Sequence, residues 1–277
     1  MTKLEYTMKY LYFYFPFGYL FRSRLYTFYK ALSWFIVYII PVLFLFTWNY
    51  SYSFTDILYW VLALLLIYNY YEIGYIQNDT ETIKKENTPT LRLKLDEFAF
   101  YEKHKKTIYA FRIIVNIGLL LLFKATVSIY FVFSIFSILI LYLLYNNMRN
   151  RWNLLINSGL VLTRYVAPLI FFGHFDNRIL FYASILIYPL LNFFERASSK
   201  RFNLVVIQRI VLYKGRLTVF RVLYYLFFVL LYLSCGIILH NNQYYFICCL
   251  FVVLLLFRFS ILIGERKGLA PSNYLKA

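Results

Sequence analysis

Glu72 and Asp79 are two carboxylates seven positions apart, at the end of an apolar run that begins at Phe54. On an α-helix that spacing is two turns, so the pair lies on one face, about 20° off register and about 10 Å apart along the axis. A carboxylate in the last turns of a membrane helix costs about 2.5–3.5 kcal/mol by insertion scales unless it has a partner or water. Two of them on one face, followed by Lys84, Lys85 and Pro89, predict a polar pocket at the membrane edge. Oxygen ligands of this kind suit Mg²⁺, which usually binds through one or two carboxylates and the phosphates of a substrate. A helix end simply reaching water accounts for Asp79 equally well. Glu72 lies deeper, among Tyr70, Tyr71 and Tyr75, and favours a functional role.

This stretch resembles the first aspartate-rich motif of the UbiA superfamily of intramembrane prenyltransferases, which reads N-D-x-x-D-x-x-x-D and continues into basic residues and a proline. Laid on this chain, the first acid falls on Glu72, the third on Asp79, the basic positions on Lys84 and Lys85, and the proline on Pro89. The asparagine falls on Tyr71 and the middle aspartate on Tyr75. The fourth apolar run ends in YLLYNNMRNRW, where the superfamily often has a tyrosine and a basic pair, here Tyr145, Arg149 and Arg151. The sixth ends in YPLLNFFERASSKRF, in the place of the second acidic motif. Asn192 takes the first acid's position, Glu195 comes within one residue of the second, and Arg196, Lys200 and Arg201 follow. An asparagine carbonyl oxygen ligates a metal more weakly than a carboxylate does, whereas arginine and lysine are natural phosphate binders. The resemblance therefore implies metal ligation by Glu72, Asp79, Asn192 and Glu195, with catalysis resting on the three acids.

Composition limits the class. The chain has 277 residues, 62% of them hydrophobic and 23% aromatic, with a mean hydropathy of +0.63. A soluble globular protein is nearer one-half apolar. Apolar runs at 31–48, 54–77, 107–123, 125–146, 153–172, 179–194, 217–239 and 244–263 predict an all-α polytopic membrane protein of about eight helices. Several runs reach the roughly 20 residues that cross a ~30 Å hydrocarbon core, and no ten-residue alternation points to a barrel.

Charge sets the expected orientation. Lysines and arginines number 5 before the first run, 7 at 78–106, 2 at 148–152, 6 at 196–216 and 3 after 263, while the intervening connections hold only Lys124 and Arg178. Because cationic loops stay inside, the termini are expected in the cytoplasm, in a bacterial inner membrane. The net charge of +17 then belongs mostly to one membrane face, where it suits anionic head groups. Basic residues divided among short loops do not predict nucleic-acid binding.

Four arginines fall within runs: Arg112, Arg164, Arg221 and Arg258. Arg164 is deepest and is expected to face the interior, Arg112 matches the acids in depth, and Arg221 and Arg258 can snorkel. With Lys84, Lys85, Tyr145, Arg149, Asn192, Arg196, Lys200 and Arg201, Arg112 and Arg164 complete the expected substrate-binding set. Residues 1–30 mix aromatics with cations and read as an interfacial segment with no cleavable signal, and 264–277 read as a tail. Cys235, Cys248 and Cys249 show no CxxC spacing and read as packing residues.

The halves 31–152 and 153–263 look alike in hydropathy and charge. Each has an acidic helix end second in order, then a basic loop, then a run with an early arginine. Two four-helix repeats around a central cavity are expected. The function implied is a UbiA-like transferase on a polyprenyl lipid, with Mg²⁺ and cations stabilising a leaving diphosphate. The step would be prenyl transfer to an acceptor or phosphoribosyl transfer to a polyprenyl phosphate. The alternative is a non-enzymatic transporter or lipid-binding component.

Overall fold

A computed structural model describes residues 8–50, 53–85, 90–148, 150–173, 177–212 and 217–268. Among these residues every regular element is helical, with no strand. After a short 3₁₀ turn come α1 (Gly18–Ser23), α2 (Phe28–Asn49), α3 (Phe54–Thr80), α4 (Leu95–Leu122), α5 (Ile129–Asn147) and α6 (Trp152–Val166). Then follow α7 (Arg178–Ile187), α8 (Pro189–Ala197), α9 (Val205–Val211), α10 (Leu217–Leu239) and α11 (Asn242–Arg266).

Among the described residues seven helical stretches are long and apolar enough to cross a membrane, so the chain is an integral membrane protein. They are α2, α3 through its final turn at Lys85, α5, α6 through Ile170, α7 with α8, α10 and α11. The remaining expected span, 107–123, falls in the second half of α4 and is not among them. Acids and lysines crowd the first half of α4, and Arg112 and Asn116 are buried in its apolar half, whose Ile114, Leu121 and Leu122 lie exposed.

Prolines explain the breaks. Pro41 has no N–H and crowds the carbonyl four residues back, and α2 widens to a π-turn over Phe35–Ile39 just before it. Pro189 ends α7 at Ile187 and restarts the chain as the first residue of α8. The Leu186 and Ile187 carbonyls at that break accept hydrogen bonds from the hydroxyls of Tyr224 (2.5 Å) and Tyr225 (2.9 Å) on α10. Inside a bilayer no water could take that role.

The chain forms two compact units, Met1–Phe35 with Phe46–Phe175, and Ile36–Leu45 with Asp176–Ala277. In the first, α3 packs on α4 and α5, and α5 on α6. A Cβ at Gly74 of α3 would lie 2.1 Å from the Tyr142 ring of α5, so this crossing requires glycine. Residues 153–172, expected to open a second repeat, pack in the first unit instead. Ser128, the N-cap of α5, donates its N–H to the Phe171 carbonyl (2.8 Å) and its hydroxyl to that of Ile170 (2.6 Å). In the second unit α10 and α11 form a hairpin turned at His240, whose φ is 47°. Gly236 faces Tyr245 there, and Phe251 stacks between Phe228 and Tyr232.

Candidate functional site

In the first unit Glu72 is wholly buried and its oxygens are engaged: Oε2 lies 2.8 Å from Arg112 Nη1, and Oε1 accepts the Leu20 N–H at 2.5 Å. Arg112 is also wholly buried and donates further to the carbonyls of Phe13 (2.8 Å) and Phe15 (3.2 Å) and to Asn69 Oδ1 (2.8 Å). Asn69 in turn donates to the Arg112 carbonyl and to Asn116 Oδ1, and Asn116 to the Leu66 carbonyl. A buried ion pair is tolerated only when its remaining donors and acceptors are satisfied, and this network satisfies them.

Asp79, 1% exposed, is held by more partners still. Oδ2 takes Arg24 Nη1 (2.8 Å) and the Tyr19 hydroxyl (2.9 Å), and Oδ1 takes Arg24 Nη2 (3.0 Å) and Arg92 Nη1 (2.9 Å). Burial and the neighbouring Asp79 charge raise the Tyr19 phenol well above its ordinary range.

These contacts make residues 10–24 part of the first unit's core. Tyr10, Phe13 and Tyr19 are buried with Ile76, Phe100, Tyr101 and Ile108. Arg22 pairs with the buried Glu97, and Lys9 with Asp96 at 2.6 Å. The aromatic-plus-cation pattern that reads as interfacial does not separate rings facing head groups from rings facing a protein core.

The other candidates in this unit are dispersed. Lys84 is exposed and pairs with Glu81 (3.2 Å) and Glu102 (2.6 Å), and Lys85 is exposed beside it. The Arg164 guanidinium lies 5.7 Å from the ring centres of Tyr71 and Tyr165, an interior position as its depth predicts. Tyr71, Tyr75 and Tyr142 contact one another edge-on, at 5.2–5.9 Å, and Arg24 lies 4.7 Å from Tyr75. Tyr145 is half-buried at the end of α5, and its carbonyl accepts from Asn153. Arg149 and Pro89 lie outside the described residues.

The second unit gathers its candidates. Glu195 on α8 forms a two-point pair with Arg221 on α10, Nε to Oε1 at 2.5 Å and Nη2 to Oε2 at 2.9 Å. The pair borders a cavity of about 690 Å³ that Asn192, Arg196, Lys200 and Arg201 also line. Ser199 contributes polar lining, and Phe202, Leu212 and Leu217 an apolar part. Four cations thus face one carboxylate that is already neutralised. Guanidinium forks match phosphate oxygens two at a time, so this lining suits a phosphate or diphosphate. Arg221, for which the sequence allows snorkelling, is the member missing from the expected set. Its signal was the parallel with Arg112: each is the early arginine in the apolar run that follows an acid-bearing one, and each pairs with that acid.

The donor sets do not fit Mg²⁺ in this arrangement. Glu72, Asp79 and Glu195 present their oxygens to guanidinium and N–H donors and, at Asp79, to the Tyr19 hydroxyl. Among the described residues no three His, Cys, Asp or Glu side chains come close enough together to hold a metal ion. Comparison with family models, characterised proteins and solved structures yields no match.

Proposed function

We propose that this chain is a membrane-embedded transferase of the UbiA type that takes a phosphate-bearing polyprenyl lipid, with the phosphate end in the basic cavity of the second unit. The observation that carries the reading is that cavity: Arg196, Lys200, Arg201 and Arg221 surround about 690 Å³ with one carboxylate among them, already paired. In either form of the chemistry, prenyl or phosphoribosyl transfer, negative charge grows on a leaving diphosphate. Cations fixed in advance around it are the main electrostatic aid a protein can give. Mg²⁺ belongs to this proposal through the resemblance alone, and the charge supplied by the cavity's own side chains is cationic. The placement in a bacterial inner membrane with cytoplasmic termini and the absence of a nucleic-acid partner belong to the same proposal.

A second reading, a non-enzymatic lipid-binding component, is favoured by one specific observation. Glu72 and Asp79, the acids that would serve metal-assisted chemistry, are both taken up by arginines. Transfer from a prenyl diphosphate or phosphoribosyl diphosphate, measured in membranes with and without chelator, separates the two. The transferase reading expects turnover that falls when Lys200 and Arg201 are changed to glutamine. Binding without turnover on any of these donors would favour the second reading.

A further inference from the structure

The seven residues of α9 have their own pattern. At about 100° per residue, Val205, Arg209, Val206 and Ile210 fall within one arc of about 140°, with Ile207, Val211 and Gln208 opposite. That arc is open: Val205 is 48% exposed, Val206 71% and Ile210 61%, and Arg209 is exposed as well. The opposite side is anchored, with Val211 fully buried and Gln208 donating to the Ser199 carbonyl at 3.3 Å. The helix rests on α8 and α10, which both belong to membrane-crossing stretches. Its flanking residues, Phe202 and Leu212, line the basic cavity.

Three exposed branched aliphatics beside an arginine are costly in water but suit the boundary between acyl chains and head groups, where the aliphatic part inserts and the cation meets lipid phosphate. Exposed Lys200 and Arg201 add positive charge at the helix's N-terminal side. We infer that α9 is an in-plane anchor seated in the anionic head-group layer of the same bilayer, and that it places the mouth of the basic cavity at lipid phosphates. The second clause rests on the reading of that cavity as a phosphate site; the first does not.

The test uses the full chain with Cys235, Cys248 and Cys249 changed to alanine, and a single nitroxide label at Val206→Cys or, separately, Ile210→Cys. The protein is placed in nanodiscs of phosphatidylcholine with or without phosphatidylglycerol. Two positions guard against one variant failing to fold. Collision with oxygen, which prefers lipid, is compared with collision with a water-soluble nickel chelate. The inference expects the oxygen-to-nickel ratio at each position to stand several-fold above that of a label in water, and to rise further with phosphatidylglycerol. Nickel-favoured collisions would overturn it, as would labels shielded from both reagents, the sign of a protein partner on this face. A ratio indifferent to phosphatidylglycerol would overturn the anionic part. Because no cavity ligand is added, these outcomes are independent of diphosphate binding, which is measured separately.

Discussion

The Arg112 guanidinium lies 2.8 Å from the Glu72 carboxylate, and neither side chain has any exposed surface. Removing one partner of a buried pair leaves the other charge uncompensated, at a cost of about 3–5 kcal/mol. Glu72→Gln is therefore expected to lower the unfolding temperature in detergent markedly, rather than leave the fold intact as a purely catalytic acid would. Glu72→Met combined with Arg112→Met should recover much of the loss. An unchanged unfolding temperature in Glu72→Gln would show that the pair does not hold these helices together.

Asp79 fastens the N-terminal segment through Tyr19 and Arg24. Asp79→Asn removes the charge facing two arginines and should loosen residues 10–24, exposing Arg22 and Arg24 to trypsin. Cleavage there is expected to be clearly faster than in the wild type while the transmembrane core stays resistant. Equal cleavage rates would mean that the aromatic packing of Tyr10, Phe13 and Tyr19 holds the segment by itself.

What could be read from the sequence follows the range of the interactions. The long apolar runs give the helices directly, because a membrane helix satisfies its own backbone and its signal is local. The interior placement of Arg164 and the depth of Arg112 follow from the same local reasoning. The partners of Asp79 do not: Arg24 and Arg92 stand 55 and 13 positions away, and nothing local in the sequence joins them. The run 107–123 was misleading for a related reason. Its apolar content is real, but Arg112 and Asn116 turn one face toward protein. The break at Tyr188 was signalled by Pro189, although the run 179–194 reads as continuous.

At Gly74, α3 passes directly against the Tyr142 ring of α5. Gly74→Ala would put a methyl 2.1 Å from the Tyr142 ring, so the ring or the helix must move. Overpacking of this kind costs about 1–3 kcal/mol. Thermal unfolding should register that loss, and Tyr142→Leu in the same chain should restore part of it. If Gly74→Ala alone is neutral, the helices are not packed this closely.

The Lys9–Asp96 pair lies outside the membrane-crossing stretches and should respond to acid. Hydrogen bonds from Lys9 and then Tyr10 lower the Asp96 carboxyl to about 2 from its ordinary 3.8. A depressed carboxylate contributes stability above its unfolded value, and that contribution is lost as pH falls toward the folded value. Hydrogen-exchange protection of residues 8–15, corrected for intrinsic rates, should accordingly decline between about pH 4 and about pH 2. The pair is exposed, so the effect is small. In Asp96→Asn the decline should disappear; an undiminished decline would assign it to another carboxylate.

The most direct test of the account is the binding of a short-chain prenyl diphosphate to the purified chain by titration calorimetry, with inorganic pyrophosphate as comparison. Saturable binding is expected, weakening about tenfold or more in Lys200→Gln/Arg201→Gln, the loss of at least one charge-assisted phosphate contact. Binding should be unchanged in Lys103→Gln/Lys106→Gln, which removes the same charge elsewhere. Equal affinity in all three proteins, or no saturable binding in the wild type, would contradict the assignment of the basic cavity to phosphate.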